Sequence, residues 1–286
     1  ACTGLWSSLM QQYDLKDFVA ATATRFGIPG AAVGVSIDGK ETFACSGVTS
    51  LVNPLPVDEQ TLFVAGSVTK PFTATAIMQL AFEGRLGLDQ SVRSLIPELD
   101  DDRPADQYDV TVLQLLNHTS GLDWGVTFDT GEGDDALARY VTQLAHVARL
   151  APPGQRFSYS QAGYNIAGRI IEKITGESYE AAVKRMLLDP VGLAHSYFMP
   201  AEVITHRFAV GHNRNDSGDL EVARLWRRWR GENPGGGLVI SVSDLLHWAK
   251  FHLGEPHDET PHGILPRAWL DRMQEPTFRV RASNLG

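Results

Sequence analysis

Two strand-length apolar stretches, residues 31–37 and 238–242, stand near opposite ends of the chain, and the residues between them carry mostly helical spacing. A single sheet that uses both stretches must be built from the two ends, with the helical middle inserted. At 286 residues the chain can bury a large core, as one big domain or two intimate ones. The first stretch runs into Asp38-Gly39 and then residues 41–46, which reads as a β-hairpin with a tight turn. Residues 15–26 before it have the apolar spacing of an amphipathic helix, ended by Gly27 and Pro29. Further helices are expected over 71–83, closed by Gly84, and over 112–116. A longer one is expected over 134–150, broken by Pro152-Pro153-Gly154, and two more over 162–175 and 178–188, divided by Gly176. Gly235-Gly236-Gly237 then leads into a strand at 238–240, and Ser243 or Asp244 caps a helix through His252. The expected organisation is an α/β (α+β) domain begun by residues 1–62, a mostly helical domain over 63–233, and a return to the first domain over 234–286. A cleft between two such domains is a natural place for a site.

Composition narrows the partners. Lys plus Arg number 25 against 34 Asp plus Glu, a net charge of −9, which argues against nucleic acid or an anionic membrane. Neither apolar stretch approaches the roughly 20 residues of a membrane span, so no transmembrane segment is expected. The chain has no initiating Met and no signal peptide, which reads as a mature, tagged or trimmed form. That leaves the compartment open between cytoplasmic and exported with the signal removed. Cys2 and Cys45 are too few for a disulfide framework and have no metal-ligand spacing; whether they bond to each other stays open.

The chemistry centres on Ser67-Val68-Thr69-Lys70. This tetrapeptide follows a short extended segment, 61–64, and Gly66, and it opens the helix that carries Phe72 and Leu80. Residues three apart lie about 60° apart around a helix, so Ser67 and Lys70 share a face. A Ser hydroxyl is a poor nucleophile until a base takes its proton, and a Lys amine can be that base once its surroundings favour the neutral form. A helix start also aims free backbone N–H groups at an oxyanion formed beside Ser67. Ser-x-x-Lys alone is weak, because about one chance match is expected in a chain of this length.

The wider run 61–76 resembles the nucleophile segment of the serine β-lactamase and penicillin-binding-protein superfamily. It looks closest to the branch that holds class C β-lactamases, D-alanyl-D-alanine carboxypeptidases, D-aminopeptidases and family VIII esterases. The likeness extends to Ile28-Pro29-Gly30-Ala31, to His118-Thr119-Ser120-Gly121-Leu122, to Phe157-Ser158-Tyr159-Ser160-Gln161 with Gly163-Tyr164, and to Gly236-Gly237-Leu238 with Ser243-Asp244-Leu245. The resemblance implies a β-lactamase-like fold, an antiparallel sheet flanked by helices plus an inserted helical domain, with Ser67 and the helical domain's edge at the site. It implies Ser67 as nucleophile, Lys70 as its partner and Tyr159 as proton shuttle, with Gln161 and Gly237 binding substrate.

Two departures from the family pattern stand out. Gln161 occupies the place where the family usually has an Asn that holds the Lys and the acyl amide of penicillin or peptide substrates. Gln offers the same donors and acceptor on one more methylene, which puts efficient β-lactamase or peptidase action in doubt and favours ester cleavage. The family's third motif, Lys-Thr-Gly or His-x-Gly on a strand, is not found. Lys173-Ile174-Thr175-Gly176 lies at a helix end, and His262-Gly263 reads as a loop entering a helix. The C-terminal strands that would carry the motif are therefore expected to be missing, with a missing segment or a second chain completing the site.

Other signals are set aside. Residues 34–40 imitate a phosphate loop, but Glu41 stands where Ser or Thr is required, and the segment falls on the hairpin. No Gly-x-Ser-x-Gly elbow occurs. His247 and His252 are five apart, about 140° around a helix, and no His-Glu-x-x-His is present, so no metal is expected. His118 reads as structural. The segment with Arg224, Trp226, Arg227, Arg228, Trp229 and Arg230 either attracts a substrate carboxylate or is a solvated or subunit-contacting loop, and the second reading is favoured. The expected activity is an acyl-enzyme serine hydrolase, without metal or organic cofactor, acting on a small-molecule or short-peptide ester or amide. The alternatives are a β-lactamase, D-alanyl-D-alanine carboxypeptidase or D-aminopeptidase, and a non-catalytic ligand-binding or scaffold relative.

Overall fold

The structure, a computed structural model, describes residues 14–99, 109–123, 125–227, 229–254 and 264–280. In chain order its main elements are α1 (Leu15–Phe26), β1 (Gly30–Ile37), β2 (Lys40–Gly47), β3 (Phe63–Val64), α2 (Thr69–Phe82), α3 (Val112–Leu116), α4 (Ala136–Leu144) and α5 (Gln161–Thr175). They continue with α6 (Tyr179–Val183), β4 (Ser196–Tyr197), β5 (His212–Arg214), β6 (Leu220–Val222), α7 (Asn233–Gly236), β7 (Val239–Ile240), α8 (Val242–Leu253) and α9 (Arg267–Met273). The chain divides into two compact units. One takes residues up to Val64, then Gly192–Trp226, then the stretch from Val239 through α8; the other takes Ala65–Val191, Arg227–Leu238 and the stretch holding α9.

The first unit is mixed, and its ladders are antiparallel. α1 starts where the Asp14 carboxylate accepts from the Lys16 N–H at 2.8 Å and stops at Gly27, whose φ is 62°. β1 and β2 pair from Gly30 with Gly47 to Ile37 with Lys40, around a turn whose Asp38 and Gly39 both have positive φ, 52° and 78°. Asp-Gly suits such a turn because its twist matches that of the strands. β7 lies between β3 and β4, pairing Ile240 with both Phe63 and Ser196. Leu62, Val203 and Val239 form the small core beneath that sheet. α8 is tied to the hairpin by Lys250, whose Nζ donates to Glu41 Oε1 at 2.7 Å.

The cap of α8 differs from expectation. Ser241 is the N-cap, its Oγ accepting from the Asp244 N–H at 3.2 Å. Asp244 is buried instead, and its carboxylate accepts from the His195 N–H at 2.7 Å and the Ser196 hydroxyl at 2.8 Å. Burial pushes its carboxyl upward in pKa, against the pull of those hydrogen bonds.

The second unit is helical. Phe72, Ala76, Ile77 and Leu80 leave no surface exposed on α2, and Ala167, Ile170 and Ile171 do the same on α5. The Phe, Ile and Leu side chains among them each contribute about 1.5–3 kcal/mol on burial. Three expected elements are shorter or broken. The helix expected over 134–150 covers only Ala136–Leu144, because the following residues are drawn to a loop: the Leu150 N–H donates to the Gly121 carbonyl at 2.8 Å, and Arg149 Nη1 to the Ser120 carbonyl at 3.1 Å. The helix expected over 178–188 becomes α6 followed by a π-helical turn, Lys184–Leu188. The triple glycine leads into a strand as expected, but Gly235 and Gly236 close the short helix α7 and β7 begins one residue later, at Val239.

Candidate active site

The Ser-x-x-Lys segment lies in the second unit at the start of α2. Ser67 sits in a single 3₁₀ turn, Gly66–Val68, and is exposed. Gly66, at φ 54°, supplies the left-handed bend that a residue with a side chain would resist. The turn is held from below. The Ala65 N–H donates to the Leu238 carbonyl at 2.9 Å, Thr69 Oγ1 donates to the Gly66 carbonyl at 2.7 Å, and the same Oγ1 accepts from the Leu238 N–H at 3.1 Å.

Lys70 is 4% exposed, and its amine meets several acceptors. Nζ stands 3.1 Å from Ser67 Oγ, 2.7 Å from Gln161 Oε1 and 2.7 Å from the Gly235 carbonyl oxygen. The aromatic rings of Tyr159 and Tyr164 face it, their centroids 4.9 and 5.6 Å from Nζ. Such ring faces attract the ammonium form. With Lys70 neutral, the same Nζ–Oγ geometry lets the Ser67 hydroxyl donate to the amine, which is what a general base requires.

Tyr159 and Gln161 flank the start of α5, which Ser160 caps by accepting from the Gly163 N–H at 3.1 Å. Tyr159 is 36% exposed, so its ring meets both Lys70 and solvent. His118, at φ 61°, packs its ring 4.4 Å from that of Tyr159 and accepts at Nδ1 from the Ser160 N–H at 3.1 Å. Burial, reinforced by the Lys70 charge, pushes His118 down to about 4. It is therefore neutral at pH 7, as an accepting Nδ1 demands. Its location fits a structural role, but the role is exerted directly on the Tyr159 loop.

Gln161 bridges two partners. Oε1 accepts from Lys70, and Nε2 donates to the Glu232 carbonyl at 3.3 Å. Gly237 lies in the same region, buried, and its N–H donates to the Asn233 carbonyl at 2.9 Å. Gly235, whose carbonyl accepts from Lys70 at 2.7 Å, was not singled out in the sequence. A Cβ at Gly235 would lie 2.0 Å from Gln161 Nε2, so any other residue there displaces the Gln161 amide; the triple-glycine run was the available signal. Tyr164, also missed, donates from its hydroxyl to the Leu116 carbonyl at 2.9 Å.

Within the arginine-rich segment Arg224 and Trp229 are exposed, but Arg227 and Arg230 are not solvated. Arg227 pairs with Glu132 at 2.6 Å, and Arg230, 9% exposed, pairs with Asp134 at 2.8 Å and Glu180 at 3.2 Å. Buried guanidinium groups need such partners, so these side chains are committed to the fold. Lys173-Ile174-Thr175-Gly176 is the C-terminus of α5, with Gly176 as its left-handed cap. Arg228, His262, Gly263 and Cys2 lie outside the described residues, and with Cys2 the question of a bond to Cys45. No group of three His, Cys, Asp or Glu side chains among the described residues could hold a metal ion. No described helix is long and apolar enough to cross a membrane.

An exposed serine three residues before a buried lysine, with a tyrosine and an amide at the start of α5, is a geometry in which an amine can take the proton of a serine hydroxyl. The sequence model of the Beta-lactamase family matches residues 15–284, and the chain belongs to that family. It is 37% identical over 236 residues to penicillin-binding protein 4 of Amycolatopsis lactamdurans, covering 82% of this chain and 62% of that protein. It is 30% identical over 254 residues to a β-lactamase of Providencia stuartii, covering 88% of this chain and 63% of the relative. The fold matches the octameric penicillin-binding protein homologue from Pyrococcus abyssi with a TM-score of 0.78 at 26% identity, over 94% of this chain and 61% of the other. The chain thus spans a little over three fifths of the length of these relatives.

Proposed function

We propose that the chain forms an acyl-enzyme at Ser67 and acts as an esterase or broad acyl hydrolase. The observation that carries this reading is the 3.1 Å approach of Lys70 Nζ to Ser67 Oγ at a helix start. Ser67 Oγ attacks the substrate carbonyl carbon while its proton passes to Lys70 Nζ. The oxyanion takes a hydrogen bond from the N–H of Ser67 at the helix start. Tyr159 carries the proton to the leaving alcohol, the ester bond breaks, and water activated beside Tyr159 releases the acid and restores Ser67.

The preference for esters rests on Gln161. One N–H of its amide is spent on the Glu232 carbonyl and its oxygen on Lys70, which weakens its capacity to hold a substrate's acyl amide. An ester makes no such demand. A second reading, β-lactamase or D,D-peptidase, is favoured by the 37% identity to penicillin-binding protein 4. Turnover of a p-nitrophenyl ester and of nitrocefin by the whole protein separates the two. Ester kcat/KM at least about 10-fold above that for nitrocefin is expected, since one lost amide contact is worth roughly that factor. The reverse order makes the protein a β-lactamase. Turnover of neither, with no covalent adduct, leaves a non-catalytic binding or scaffold relative.

A further inference from the structure

The carbonyl that meets Lys70 belongs to a turn whose backbone is held from two sides. From one side, the Glu232, Pro234 and Gly235 carbonyls accept from Gln161 Nε2 at 3.3 Å, Thr73 Oγ1 at 2.6 Å and Lys70 Nζ at 2.7 Å. Thr73 has one hydroxyl proton and gives it to Pro234, so the Tyr179 hydroxyl, 2.7 Å away, is the donor in their contact. Tyr179 is fully buried, and burial drives its pKa up, which keeps that proton in place.

From the other side the turn is held by Glu180, the next residue of α6. Its Oε1 accepts from Asn233 Nδ2 at 2.7 Å and from Arg230 Nε at 3.2 Å, and its Oε2 from Arg230 Nη2 at 3.2 Å. Arg230 also donates to the Glu132 carbonyl at 2.6 Å and to Asp134 Oδ1 at 2.8 Å. Asn233 is 1% exposed. A buried ion pair of this kind gives little net stability over apolar packing, and geometric definition is a better account of it. What it defines here ends at the Lys70 amine.

We propose that Glu180 is a positioning residue: through Asn233 and Arg230 it keeps the Gly235 carbonyl on Lys70 Nζ and so sets both the aim of that amine and its readiness to lose a proton. This rests on Ser67 and Lys70 being the reacting pair. A carbonyl accepting from Nζ favours ammonium over amine. Ser67 Oγ, Gln161 Oε1 and the rings of Tyr159 and Tyr164 also face Nζ, and the Lys70 charge in turn disfavours protonation of His118.

The test follows the Lys70 side-chain amine by NMR titration in the lysine-labelled whole protein, its signal assigned by loss in Lys70→Ala, alongside the rate of fluorophosphonate labelling at Ser67. In Glu180→Ala the titration midpoint is expected to fall by about one pH unit and labelling by about 10-fold. Glu180→Gln, which keeps an acceptor for Asn233, recovers part of both. Arg185→Ala, which breaks only the exposed pair with Glu177, changes neither. A lowered melting temperature with midpoint and labelling as in wild type overturns the proposal and leaves a purely structural pair. If Glu180→Ala does not fold, Thr73→Val, which frees the Pro234 carbonyl from the other side, decides by the same two readouts. If wild type never labels at Ser67 while the Lys70 midpoint still follows Glu180, the positioning role stands and the nucleophile assignment falls.

Discussion

At the scale of single residues, the account puts the largest effects on side chains around one amine. Lys70→Ala leaves Ser67 exposed without its base, and kcat/KM for an ester is expected to fall about 10³-fold with the fold retained, checked by steady-state kinetics and circular dichroism. Gln161→Asn shortens the bridge from Lys70 to the Glu232 carbonyl, frees amide capacity for substrate, and is expected to raise nitrocefin turnover relative to ester turnover. An unchanged ratio removes the argument from Gln161. The Ser67–Lys70 pairing was legible because it is local: residues three apart along a helix share a face whatever the rest of the chain does. The Gly235 carbonyl and the His118 ring were not legible. They reach Lys70 and Tyr159 across separations of 165 and 41 residues, and backbone carbonyls carry no side-chain signal.

Among elements, those whose stop signals are local matched the sequence, and those ended by tertiary contacts did not. α1 runs over the expected residues because Gly27 takes up the left-handed cap and Pro29 follows. α4 ends early because Gly121 and Ser120 claim the backbone and side chains of residues 149–150. The cap of α8 shifted to Ser241 because the Asp244 carboxylate found buried partners that the sequence does not reveal. Ser241→Ala is accordingly expected to cost about 1 kcal/mol by chemical denaturation, whereas Ser243→Ala costs less than half of that. Gly235→Ala tests α7: its Cβ would strike the Gln161 amide, so activity is expected to fall more than stability. Wild-type kinetics in that variant would show that the close approach is relaxed at no cost to catalysis.

For the molecule as a whole, two half-buried histidines tie stability to pH. His118 in the helical unit and His252 on α8 are each pushed down to about 4, chiefly by burial. Unfolded, each takes up a proton near pH 6.5. Between about 6.5 and about 4 the unfolded chain therefore holds more protons, and stability falls as the pH drops through that window. Each residue contributes up to about 3 kcal/mol of the loss. Melting temperatures from pH 7 to 4.5 are expected to decline in wild type and to decline less in His252→Phe. The measurement that bears most directly on the central claim is the intact mass of the whole protein after exposure to a fluorophosphonate and, separately, to a fluorescent penicillin, with Ser67→Ala alongside. The account predicts a stoichiometric adduct with the fluorophosphonate, weak or no adduct with the penicillin, and no adduct of either kind in Ser67→Ala. A folded wild-type protein that takes up neither reagent, or an adduct that persists in Ser67→Ala, would contradict it.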